Sequence, residues 1–395
     1  MPWESICTIT STGVPDLYRR RLEPHRWIRN NSGASTGAFD APLPGGVKGG
    51  GRLNYLAPRP DGGYGGDDPT VSWPSSKTLR VATMRPWEAK IILLGGATRE
   101  TIPVYNTCAG YHYVRTQPVQ SVANWGLPDG NGPAGAYEDL EGFLTRAGDV
   151  AESLLEQGIR AMKIWPFDLY AEASQGSRIA PDDLRNGLEP FRQVRSAVGA
   201  EMDVMIELHG LWEHEPVQRI VAACDELSPR WYEDPLGVED VEGLAALATR
   251  TATPLAVGET VAGLGNFRRL CEYGAAGVVV FDAGWCGGLT EARKVAAVAE
   301  SHALPVAAHD CTGPVGFTAG THLSAALPNA SIQEFVRAHH STWYGELVSG
   351  LPPVEDGAVR PPDAPGLGVQ LREEALARPD ARLRSSGLGA AAGTA

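Results

Sequence analysis

From residue 101 onward, apolar and polar positions fall into two alternating rhythms. Short apolar runs of strand length recur: "TIPVYNT", "AMKIW", "MDVMIE", "RWYE", "PLAV", "VVVFD", "PVAA" and "SIQE". Between them lie amphipathic segments such as "YEDLEGFLTRAGDVAESLLEQG" and "LTEARKVAAVAESHA", which read as helices. Strand and helix in strict alternation predict a parallel α/β sheet. Eight such strands predict a closed, TIM-like barrel rather than an open sheet.

The pattern is lost outside that region. Residues 41 to 75 hold nine Gly and six Pro, and no period of 2 or 3.6 survives there. Residues 20–90 therefore read as a long irregular segment. Their Gly, Pro and Arg bias also resembles out-of-frame translation of GC-rich coding DNA, with the correct frame resuming near residue 91. The end of the chain, "ARPDARLRSSGLGAAAGTA", is small and polar and is expected to be disordered from 376 to 395.

Composition narrows the class. The chain has 395 residues, 43% hydrophobic and 21% charged, as in ordinary soluble globular proteins. Its net charge of -13 argues against a nucleic-acid surface, which needs clustered Lys and Arg. Cys7, Cys108, Cys224, Cys271, Cys286 and Cys311 form no C-x-x-C pair and read as free thiols of a reducing compartment. "MPWESICTIT" lacks the basic start and apolar core of a signal peptide. No apolar run is long enough to span a membrane. The expectation is a cytoplasmic protein that contacts neither nucleic acid nor membrane.

Candidate chemistry sits at the strand ends. Glu207, Glu233 and Glu259 follow one another at intervals of 26 residues, about one strand, one helix and two loops. Carboxylates at the C-terminal ends of three consecutive parallel strands converge where barrels of this kind carry their active sites. Such hard oxygen ligands suit Mg²⁺. The ladder continues through Asp282, His309 and Glu334, spaced by 23, 27 and 25 residues. Asp282 and His309 on neighbouring strands form a candidate dyad in which the carboxylate orients the imidazole. In "AMKIWPFD" the strand ends with Lys163, which is either a snorkelling lysine or, beside a metal, a base of lowered pKa. In "MDVMIELHGLW" the two-residue strand period places His209 on the same face as Glu207. Packing on Trp212 is the alternative reading for His209.

From "LLGGATRETIPVYNT" to "APGLGVQLREE", about residues 91–375, this ladder resembles the enolase superfamily, in its mandelate racemase and muconate lactonizing enzyme branch. "GGLTEARKVAAVAE" after Asp282 and "HDCTGPVG" at His309 carry the same resemblance. It implies a (β/α)7β barrel over 91–345 and an N-terminal capping region over 1–90, atypical or degraded in this sequence. A segment over 346–375 would return to the cap. It also implies Mg²⁺ held by Glu207, Glu233 and Glu259, a His309–Asp282 base, and Glu334 at the substrate carboxylate. A homo-oligomer is expected. In sugar-acid dehydratases of this branch a His two residues after the first ligand is a recurrent acid/base, which points to His209. The branch often ends its second strand in Lys-x-Lys; here Lys163, Ile164 and Trp165 keep only the first. Trp165 is expected to wall the pocket, and Asp168 either to line it or to serve a turn.

The implied reaction is Mg²⁺-dependent abstraction of a proton next to a carboxylate. Dehydration of a sugar acid to a 2-keto-3-deoxy acid is the first expectation. Lys163 and His309 on opposite faces would instead fit a racemase, epimerase or cycloisomerase. An inert barrel is the third reading, because an abnormal cap would not close over substrate.

Overall fold

The structure, a computed structural model, describes residues 94–111, 113, 125, 137–379 and 381. The expected cap and its irregular segment over 20–90, and residues 380 and 382–395 of the terminal tail, lie outside the described residues. All eight predicted strands are present: β1 (Ile102–Thr107), β2 (Ala161–Ile164), β3 (Asp203–Glu207), β4 (Tyr232–Glu233), β5 (Leu255–Val257), β6 (Val278–Phe281), β7 (Val306–Ala308) and β8 (Ala330–Phe335). They pair in chain order, all parallel, and β1 pairs with β8 to close the ring. The α/β barrel expected from the alternation is therefore the fold observed.

Helices cover the outside. The crossover from β1 is α1 (Asp139–Glu156). Three shorter helices, α2 (Asp168–Ser174), α3 (Pro181–Gly187) and α4 (Glu189–Val198), connect β2 to β3. The later crossovers are α5 (His214–Cys224), α6 (Val241–Ala248), α7 (Leu264–Glu272), α8 (Leu289–Ser301) and α9 (Pro314–Ala326). Two short strands, β9 (Val354–Glu355) and β10 (Ala358–Val359), form a hairpin, and β10 pairs antiparallel to the start of β1. Among the described residues, no helix is long and apolar enough to cross a membrane.

Two cores hold this architecture. The larger lies between strands and helices. The smaller fills the barrel: Tyr105, Ala161, Met205, Trp231, Ala256, Val278, Val280, Ala307 and Ile332. Side chains two apart on a strand share a face. One step beyond these inward residues therefore come Lys163, Glu207, Glu233, Asp282, His309 and Glu334, each buried. The polar ladder is the inner core continued upward by one layer.

The ring closure is fastened separately. Arg337, just after β8, is buried and donates through Nε and Nη2 to Asp139 at 3.0 and 2.6 Å. Its backbone N–H donates to Asn106 of β1, whose Nδ2 also donates to Asp139. A buried pair satisfied on both sides in this way is costly to break by removing one partner.

Candidate active site

Glu207 and Glu233 stand at directly paired positions of β3 and β4. Glu259 arrives differently. Inward-facing Ala256 would put residue 258 in the site, but Gly258 takes φ +126° and shifts the carboxylate to the next residue. A side chain at Gly258 would bring its Cβ to 2.7 Å from the carbonyl oxygen of Val280, so only glycine fits there. One carboxylate oxygen from each of the three Glu lies within 4.8 Å of the others.

Lys163 stands among them. Its Nζ lies 2.6 Å from Glu233 Oε1, 3.0 Å from both Glu207 Oε2 and Glu334 Oε2, and 3.9 Å from Glu259 Oε2. Burial alone would lower its pKa, but Glu233, Glu334, Tyr105 and Glu207 together hold it well above the usual value. Trp231 Nε1 donates to the other oxygen of Glu233 at 2.9 Å, and Tyr105 donates to Glu334 at 2.5 Å.

The donor set fits a divalent cation. Burial, with Glu207, Glu334 and Glu259 close by, raises the Glu233 pKa well above normal despite Lys163. One ammonium does not neutralise this many carboxylates. Glu207 Oε2 is buried and receives no hydrogen bond, although Lys163 is near. Three hard oxygens with one uncommitted lone-pair site suit Mg²⁺ and not a soft metal.

His309 follows β7 and lies 2.9 Å, through Nδ1, from Asp282 Oδ2. Its Nε2 turns inward, 3.3 Å from Glu259 Oε2 and 4.0 Å from Glu334 Oε1. Burial disfavours the imidazolium, but Cys311, Glu259, Glu334 and the Asp282 hydrogen bond raise its pKa well above normal. The expected dyad is in place.

His209 reaches the site by a route the strand period does not give. β3 ends at Glu207, and His209 takes a left-handed φ of +48°. Glu207 Oε1 accepts the backbone N–H of both Leu208 and His209, at 3.0 and 2.7 Å. Glu207 thus fixes the turn that carries the imidazole. Nδ1 of His209 lies 2.6 Å from Asp168 Oδ2. Burial would lower the His209 pKa, but Glu207, Asp168 and Glu259 push it up to about 9. Trp165 is buried with its ring edge-on to His209, centroids 5.7 Å apart; Trp212 makes no ring contact with His209 among those observed. Asp168 opens α2 and at the same time holds His209.

Several contributors carry no signal in the sequence ladder. Tyr105 and Trp231 read as core aromatics, although each lies on the inward-facing period of its strand. Asp310, next to His309 in the chain, is buried, accepts from Tyr344 at 2.9 Å, and is pushed up to about 8, chiefly by burial. Trp285 lies over His309 with ring centroids 5.3 Å apart.

Comparison with known proteins finds relatives of the same fold. Residues 146–375 match the family model described as enolase C-terminal domain-like. A solved enolase of the mandelate racemase subgroup from Agrobacterium tumefaciens is 40% identical, with a TM-score of 0.63 over 75% of this chain and 71% of that one. The D-gluconate dehydratase of Thermoproteus tenax is 28% identical over 77% of this chain and 56% of its own length. The D-galactonate dehydratase of Ralstonia pickettii is 31% identical over 46% of this chain and 49% of its own. The chain thus spans about half the length of these two curated relatives.

Proposed function

The chain belongs to the enolase superfamily, in its mandelate racemase/muconate lactonizing enzyme branch, and on that premise we propose that it is a sugar-acid dehydratase. It removes the proton α to the carboxylate, expels the β-hydroxyl as water, and yields a 2-keto-3-deoxy acid. Two imidazole–carboxylate dyads carry this reading: His309–Asp282 and His209–Asp168, at 2.9 and 2.6 Å. β3 and β7 stand opposite one another in an eight-stranded ring, so the imidazoles approach the carboxylate cluster from opposite sides.

Glu207, Glu233 and Glu259 would hold Mg²⁺. The bound ion supplies positive charge against the negative charge that grows on the substrate carboxylate as the α-proton leaves. Lys163 adds a fixed positive charge beside it, and Glu334, anchored by Tyr105 and Lys163, faces the same carboxylate. His309 takes the α-proton on Nε2, the nitrogen turned inward. Asp282 fixes its tautomer and orientation. His209 gives a proton to the departing β-hydroxyl, which leaves as water. The resulting enol takes a proton at C3 and becomes the keto acid.

Two findings favour dehydration over inversion. Inversion needs a second base at the α-carbon, and Lys163 is instead hydrogen-bonded to Glu233 and Glu334. Expulsion of hydroxide needs an acid, and His209 is oriented for that by Asp168. The test is His209→Asn. The variant should lose keto-acid formation by about 10²- to 10⁴-fold and retain exchange of the α-proton with solvent. Keto acid formed at the parental rate would remove His209 from the role.

A further inference from the structure

Among the described residues, two large apolar side chains are well exposed, Tyr273 and Trp285. Arg269 covers the ring of Tyr273. Trp285 is 40% exposed and lies on the loop after β6, at the mouth of the site. Its indole is tilted by 31° over the imidazole of His309, with centroids 5.3 Å apart. The loop that carries it is fixed by the base's own partner. Asp282 Oδ1 accepts the backbone N–H of Gly284 and Trp285, at 2.6 and 3.1 Å. Asp282 Oδ2 accepts from His309 and from Thr312, at 2.9 and 3.1 Å. One carboxylate therefore sets the position of the base and of the aromatic ring together.

That coupling has a consequence for substrate. Once the substrate carboxylate lies among Lys163, Glu334 and the three Glu, its α-carbon must meet His309 Nε2. Trp285, tilted over His309, then borders the substrate beyond that carbon. An acyclic polyol presents C–H groups as well as hydroxyls, and an exposed aromatic face accepts C–H groups without needing a hydrogen-bond partner. We propose that Trp285 is the platform for the polyol chain beyond the β-carbon, so that the site selects five- and six-carbon aldonic acids over three-carbon ones. This rests on the sugar-acid reading above and adds to it a residue that sets chain length.

The test compares the parent, Trp285→Ala and Trp285→Phe as full-length, Mg²⁺-loaded protein. Each is titrated calorimetrically with the six-carbon acids gluconate and galactonate. Each is also titrated with glycerate, the shortest acid with an α-proton and a β-hydroxyl. Keto-acid formation is followed separately by NMR. Trp285→Ala should weaken the better-bound six-carbon acid about tenfold, the scale of one lost apolar contact, and leave glycerate unchanged. Trp285→Phe should restore most of the difference. Equal weakening of both lengths would reassign Trp285 to holding His309 and overturn the platform; so would no weakening at all. A parent that binds six-carbon acids no tighter than glycerate overturns it as well. If the length dependence follows Trp285 but no keto acid forms, the platform stands and the dehydratase reading fails.

Discussion

Glu233 shows what the cluster asks of a single side chain. It accepts from Lys163 and from Trp231, is fully buried, and faces Glu207 across the strand pair. Replacing it by Gln keeps its size and removes its charge. Mg²⁺ affinity should fall by about 10²-fold or more, since even residues behind the ligands are worth 10- to 100-fold. Calorimetric titration with MgCl₂ checks this, and parental affinity in Glu233→Gln would show that the ion binds elsewhere. At this scale the sequence is informative wherever a polar residue ends an apolar run. Glu207, Glu233, Asp282, His309 and Glu334 stand out because a carboxylate or imidazole interrupts the inward-facing period. Tyr105, Trp231 and Trp285 are hidden because an aromatic in or near a strand reads equally well as core. Asp168 is ambiguous in the sequence because an Asp at the start of a helix already has a sufficient local role.

At the scale of elements, β5 is the informative case. Its inward period runs through Ala256 and would miss Glu259 by one residue. Gly258, at φ +126° and with room for no Cβ beneath the Val280 carbonyl, makes the correction. Gly258→Ala should destabilise the protein by about 1–3 kcal/mol from backbone strain. It should also weaken Mg²⁺ binding, because Glu259 moves with the turn. Urea unfolding and calorimetry read the two effects independently; an unchanged Mg²⁺ affinity would mean that Glu259 does not depend on this turn. The eight strands are legible in the sequence because each buries both faces and reads as a short apolar run bounded by breakers. The left-handed turn at His209 is not legible. The strand period puts His209 on the same face as Glu207, but it arrives there through hydrogen bonds from its own backbone and from Leu208 to the Glu207 carboxylate. The division of the β2–β3 connection into three helices is likewise invisible to a pattern of simple alternation.

For the whole molecule, the buried carboxylate cluster links metal binding to stability. A ligand that binds only the folded state adds about 2.7 kcal/mol at a hundredfold excess over its Kd. For a barrel of this size that is a rise of roughly 4–5 °C in Tm. Thermal unfolding with and without Mg²⁺ measures it, and Glu233→Gln should lose the response. Equal melting with and without Mg²⁺ would favour the inert barrel. Barrel closure was legible at this scale from the count and order of the strands alone. The clamp of Arg337, Asp139 and Asn106 that fastens it was not, because its partners are far apart in sequence and none lies on the ladder.

The proposed reaction is tested most directly by incubating the Mg²⁺-loaded protein with six-carbon aldonic acids in D₂O and following the products by NMR. A 2-keto-3-deoxy acid carrying one solvent deuteron at C3 is expected from the parent, and its loss in both His309→Asn and His209→Asn. An acid inverted at C2 and deuterated there, with no keto acid, would contradict it; so would a protein that binds Mg²⁺ and the aldonates yet converts none of them.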